Sequence, residues 1–132
     1  MRVDVDFRRD IAHIETRLNT IRTYNVEDGL PTLDEARRLV IDQIRQAKRD
    51  RVRVLKVIHG YGSSGAGGRL GVGLRKSFAL RKKEGVVLDS IPGEDFSIFQ
   101  PATMALLEAV PELKGDPDLN QVNEGITILW LK

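Results

Sequence analysis

The apolar positions change period several times along the chain, and each change marks an element. Val3, Val5 and Phe7 alternate as in a short strand. From Phe7 the spacing turns helical: Phe7, Ile11, Ile14, Leu18 and Ile21 fall on one stripe. This predicts an amphipathic helix over about 6–20 that packs on the domain or pairs with a second chain; His13 lies off the stripe. Residues 23–27 (TYNVE) are β-compatible and end at the turn signal Asp28-Gly29. Thr32, with Glu35 three positions on, forms a capping-box signature. The helix it opens carries Ala36, Leu39, Val40, Ile44 and Ala47 on one face and ends near Asp50. Residues 52–58 (VRVLKVI) form the strongest strand, apolar on both faces near its end as an inner strand is. A helix over about 69–83 buries Leu70, Leu74 and Phe78, Gly85 closes it, and Val86-Val87-Leu88 begins a third strand. After Pro92 the pattern changes. Phe96, Ile98 and Phe99 precede a short helix over about 101–110, with Pro101 in its first turn, Phe96 and Phe99 being its expected anchors. An acidic loop over 114–124 leads to a final strand, Ile126–Leu131, whose Trp130 reads as core.

Between the second strand and the following helix lies His59-Gly60-Tyr61-Gly62-Ser63-Ser64-Gly65-Ala66-Gly67-Gly68. Glycines at this density permit positive φ and let backbone N–H groups approach a ligand closely. Gly60-x-Gly62-x-x-Gly65 has the placement of a dinucleotide fingerprint, and Asp89 mimics its ribose-binding acid. That fingerprint strand normally opens its domain, however, and too few residues follow here. A P-loop is excluded, because Ala66-Gly67 stands where Lys-Ser/Thr must hold phosphate and magnesium. A histidine at a strand's C-terminal end, before glycines and a helix start, faces the crevice where open α/β sheets bind ligands. His59 there either contacts a phosphate, transfers a proton or ties down the turn, and Tyr61 either stacks on a base or packs.

The stretch Ile58-His59-Gly60-Tyr61-Gly62 resembles the HGxG signature of the Smr (small MutS-related) domain. The Gly29 turn and the Leu-x-Thr-x-x-Glu-Ala helix start over Leu30–Ala36 resemble that family's first motif, with His59 following 30 positions after Gly29, and Glu124-Gly125-Ile126-Thr127-Ile128 resembles its final strand. The resemblance covers about 23–131. It implies an α/β fold: a two-layer α/β sandwich with a four-stranded mixed sheet, similar to the C-terminal domain of translation initiation factor three. Residues 1–21 would be a helical extension and 22–132 the domain, with an insertion at about 92–124. It also implies nucleic-acid binding, with RNA or branched DNA as partner, or a nuclease. The family's Asp-x-His pair falls here on Val26 and Asp28. Catalysis would then rest on His59 and Asp28 alone and require a divalent metal, whereas binding implies no cofactor.

Charge adds a second argument for binding. The chain carries a net +2, but residues 37–83 hold 14 Lys/Arg against Asp42 and Asp50, a net +12. Arg69, Lys76 and Lys83 recur every seven residues, with Arg75 beside them, as a basic stripe one helix face wide. Together with His59, Gly60, Tyr61, Gly62, Ser63 and Ser64 they form the expected nucleic-acid contact. The competing reading is that folding interleaves these charges with acidic neighbours. The chain has no cysteine and two histidines, which leaves no metal site of the Cys/His kind. No apolar run approaches the roughly 20 residues of a membrane span, and the N-terminus lacks a secretory apolar core. A cytoplasmic setting is expected, as is a nucleic-acid-binding protein, with endonuclease and protein-interaction module as the alternatives.

Overall fold

The computed structural model describes residues 20–60 and 66–132. The expected helix over 6–20 and the residues Tyr61, Gly62, Ser63 and Ser64 lie outside the described residues. The elements run β1 (Ile21–Asn25), α1 (Leu33–Arg49), β2 (Val54–Ile58), α2 (Ala66–Lys83), β3 (Val87–Pro92), α3 (Pro101–Ala109) and β4 (Ile126–Leu131). Short 3-10 turns at Gly93–Asp95 and Pro111–Gly115 flank α3.

The sheet order is β1-β2-β4-β3, which makes β2 and β4 the inner strands. β1 pairs with β2 in parallel, and β4 runs antiparallel to both β2 and β3. The mixed four-stranded sheet is the expected one. α1 joins the parallel neighbours β1 and β2, the usual crossover for such a pair. Thr32 caps α1, its hydroxyl accepting from the Glu35 N–H at 3.2 Å.

Strand parity sorts the core into two faces. Leu55, Val57, Leu129 and Leu131 face α1 and α2, where Val40, Ile44, Leu74 and Phe78 close a first apolar cluster. Val54, Ile126 and Ile128 face the opposite way, into a second cluster with Phe96, Leu106, Leu107, Val110 and Leu113. The segment expected as an insertion, about 92–124, thus covers the sheet face that α1 and α2 leave open.

Several boundaries differ from the sequence reading. β1 begins at Ile21 rather than Thr23, β3 continues to Pro92, and α2 begins at Ala66, so three residues of the glycine run are helical. Phe96 is buried, but Phe99 is 86% exposed and anchors nothing among the described residues.

Candidate functional site

The parallel strands β1 and β2 end together, and their ends meet the start of α2. The Val26 N–H bonds the Ile58 carbonyl at 3.0 Å, and the His59 and Gly60 N–H groups share the Gly125 carbonyl at 2.9 and 3.0 Å. Gly60 sits at φ +74°, a turn conformation that favours glycine. His59 shares strand parity with Leu55 and Val57, so its ring enters the α2 side of the sheet, where it is 0% exposed. Its Nδ1 donates to the Gly60 carbonyl at 2.9 Å, since a carbonyl only accepts. In the neutral ring Nε2 then accepts from the Thr127 hydroxyl at 2.9 Å. Burial pushes the His59 pKa below its ordinary value; the Gly60 hydrogen bond and the charges of Glu94 and Glu27 oppose this, and Arg75 adds to it. Gly71 of α2 lies over the ring: a Cβ there would meet Nδ1 at 2.9 Å. His59 therefore joins β2, β4 and the turn beneath α2, with both nitrogens engaged.

A small depression of about 250 Å³ opens beside this turn, lined by residues including Gly60, Gly71, Arg75, Glu94 and Glu124. Arg75 grips Glu94 through two hydrogen bonds of 2.9 and 2.7 Å and donates to the Glu124 carbonyl at 2.9 Å. Its charge is spent within the fold. The Glu27 carboxylate lies against Gly60, in space a side chain there would need. Asp28 is exposed, and it is Glu27 that reaches the turn. No group of three or more His, Asp or Glu poised for a metal occurs among the described residues.

On the other side of Val72 a second, wider groove of about 520 Å³ runs between the starts of α1 and α2. Leu33, Val72 and Gly73 contribute its apolar lining, and Arg37, Arg69 and Lys76 its charge. Gly73 allows the two helices to approach, because a Cβ there would strike the Leu33 side chain. Among the described residues no carboxylate lines this groove, and no acid occupies the first turn of α2, so the positive end of the helix is not neutralised by its own first turn. Arg37 also pairs with exposed Asp34 at 3.1 Å. Arg69 and Lys76 are exposed and carry no ion pair among the described residues; Lys83 continues the row along α2, each step being about 10 Å.

Several cations of the +12 segment are engaged within the fold. Lys48 donates to the Val86 carbonyl and Arg53 to the Ala109 carbonyl, at 2.8 and 2.7 Å. Arg81 pairs with Glu84 and Lys82 with Asp89. Lys56, on the inner strand, points into the insertion face and bonds Asp116 at 2.7 Å and Asp118 at 2.6 Å. The Lys56 hydrogen bond holds the Asp118 pKa below its ordinary value. Arg45, Arg49 and Arg51, with Arg69, Lys76 and Lys83, remain exposed without an ion pair among the described residues. Sequence reasoning missed the Lys56 triad, although a lysine inside the inner-strand run VLKVI signals that an acid must meet it.

The crystal structure of the Smr domain of Thermus thermophilus MutS2 is similar to this chain, with 17% identity and a TM-score of 0.50. The match covers 84% of this chain and 98% of that one. No protein-family model matches the chain, and no curated protein sequence matches it. The α/β architecture with its mixed four-stranded sheet is thus an Smr-like fold, and at this identity the likeness concerns the fold.

Proposed function

We propose that this chain binds nucleic acid by its phosphates, along the outer face of α1 and α2 and centred on the groove of Arg37, Arg69 and Lys76. The observation that carries this reading is the groove itself: among the described residues it is lined by three cations, of which Arg69 and Lys76 carry no ion pair, and by no carboxylate, beside a helix whose first turn holds no acid. The Smr-like fold supports it, since the sequence resemblance implies the same partner class. RNA and branched DNA both carry the phosphate backbone that such cations attract. No helix among the described residues is long and apolar enough to cross a membrane, and a nucleic-acid partner fits a cytoplasmic location.

In this reading His59 shapes the turn from within and the cations touch the ligand. The test is binding to single-stranded RNA, duplex RNA and branched DNA, with cleavage followed in magnesium and in manganese. Lys76→Glu with Lys83→Glu is expected to weaken binding while leaving the fold intact, because both side chains are exposed. Unchanged affinity in that variant would remove the α1–α2 face from the account. Robust metal-dependent cleavage abolished by Asp28→Asn, with binding intact, would replace the binding reading with the endonuclease one.

A further inference from the structure

α3 is apolar on both sides. Its inner side buries Thr103, Leu106 and Leu107 against the sheet. Its outer side presents Met104, 47% exposed, with Ala102 and Ala105 also exposed, and Ile98 and Phe99 stand exposed just before its first turn. Glu108, exposed on that same outer side, is its single charged residue. An outer side otherwise this apolar fits a helix that a further element covers.

The chain outside the described residues ends beside this face. The Thr20 carbonyl accepts from the Arg53 and Val54 N–H groups at 2.8 and 3.1 Å, and the Arg53 guanidinium reaches the Ala109 carbonyl at 2.7 Å. The segment therefore enters β1 next to the C-terminal end of α3. Ile21, the last member of the Phe7–Ile21 stripe, packs in the same cluster as Ala109 and Trp130. The Trp130 indole N–H is buried in that cluster without a partner among the described residues.

We propose that residues 7–18 of this chain dock as an amphipathic helix along the outer side of α3, laying Phe7, Ile11, Ile14 and Leu18 on it. Twelve helical residues span about 18 Å and the nine of α3 about 13 Å, so the segment covers the whole exposed face. Both helices run toward the same end. Counting back from the junction at equal rise brings Leu18 to Ala109, Ile14 to Ala105, Ile11 to Ala102, and Phe7 to the Ile98–Phe99 corner. Large side chains then meet alanines, the fit that lets two helices approach closely. The same stripe supplied by a second copy is the competing occupant.

The chain has no cysteine, so an introduced pair reports unambiguously. In the full chain, Ile14→Cys with Ala105→Cys is oxidised mildly and followed without reductant. The expected result is a disulfide within one chain, forming roughly tenfold faster than in the control Thr16→Cys with Ala105→Cys, whose first cysteine lies opposite the stripe. Adding the exposed substitution Phe99→Asp should slow the pair to the control rate. Equal rates for pair and control, or a disulfide that forms only between chains, overturns the proposal.

Discussion

The two faces of the sheet are built from alternate residues of the same strands, yet they treat charge in opposite ways. Toward α1 and α2 the strands offer Leu55, Val57, Leu129 and Leu131, and the helices that cover them turn arginines and lysines outward. Toward the insertion the strands offer Val54, Ile126, Ile128 and one lysine, Lys56, which two aspartates of the insertion neutralise. The outer side of α3 is largely apolar, with Glu108 its one charge. In the proposed reading one face meets a polyanion and the other meets a further segment of chain. A charge count along the sequence adds both faces together, and only the fold separates the lysine held by Asp116 and Asp118 from the cations turned to solvent.

The comparison breaks most visibly at the aromatic centres of the two cores. Phe78→Ala, under the helices, and Phe96→Ala, under the insertion, should each cost about 3–5 kcal/mol in denaturant unfolding. If the insertion folds with the domain, both variants unfold in one transition with an unchanged slope. A separate early transition in the Phe96 variant alone would make the insertion an appendage.

Lys56→Ala should cost about 3 kcal/mol, because it leaves the largely buried Asp116 and Asp118 without their cation, and Lys56 itself is only 7% exposed. Gly71→Ala comes next, at about 1–2 kcal/mol. The added methyl crowds the His59 ring at 2.9 Å, offset in part by better helix propensity. Arg69→Glu and Lys76→Glu, on the open face, should change stability by no more than about 0.5 kcal/mol.

Acid sharpens the same contrast. His59 and Asp118 both have native pKa values below their ordinary ones, so each contributes stability that is full above the unfolded-state pKa and is lost as pH falls toward the native one. The His59 loss begins below about pH 6.5 and the Asp118 loss below about pH 3.8. Unfolding curves across this range should show the upper loss disappear in His59→Gln and the lower one in Asp118→Asn.

The elements with a clean period were legible in the sequence. α1 shows its apolar stripe and its Thr32 cap, and β2 and β4 show β-branched runs that only an inner strand tolerates. Contacts between distant segments were not. α2 begins within the glycine run despite its poor propensity, because Gly71 and Gly73 let it settle on His59 and Leu33. Arg75 belongs by spacing to the basic stripe, yet Glu94, distant in sequence, claims it. His59 has the placement of a ligand contact, but Thr127 from the last strand engages its remaining nitrogen. Each case turns on a partner that folding supplies.

The central claim is that the exposed cations beside the α2 start touch phosphates. The direct measurement is the dependence of affinity on salt concentration for the unaltered chain and for Arg69→Ala with Lys76→Ala. Each lost phosphate contact should flatten the log–log slope by about 0.7–0.9, so the double variant is expected to bind more weakly with a slope shallower by about 1.5–2. An unchanged slope and affinity would place the nucleic-acid contact elsewhere on the molecule and contradict the account.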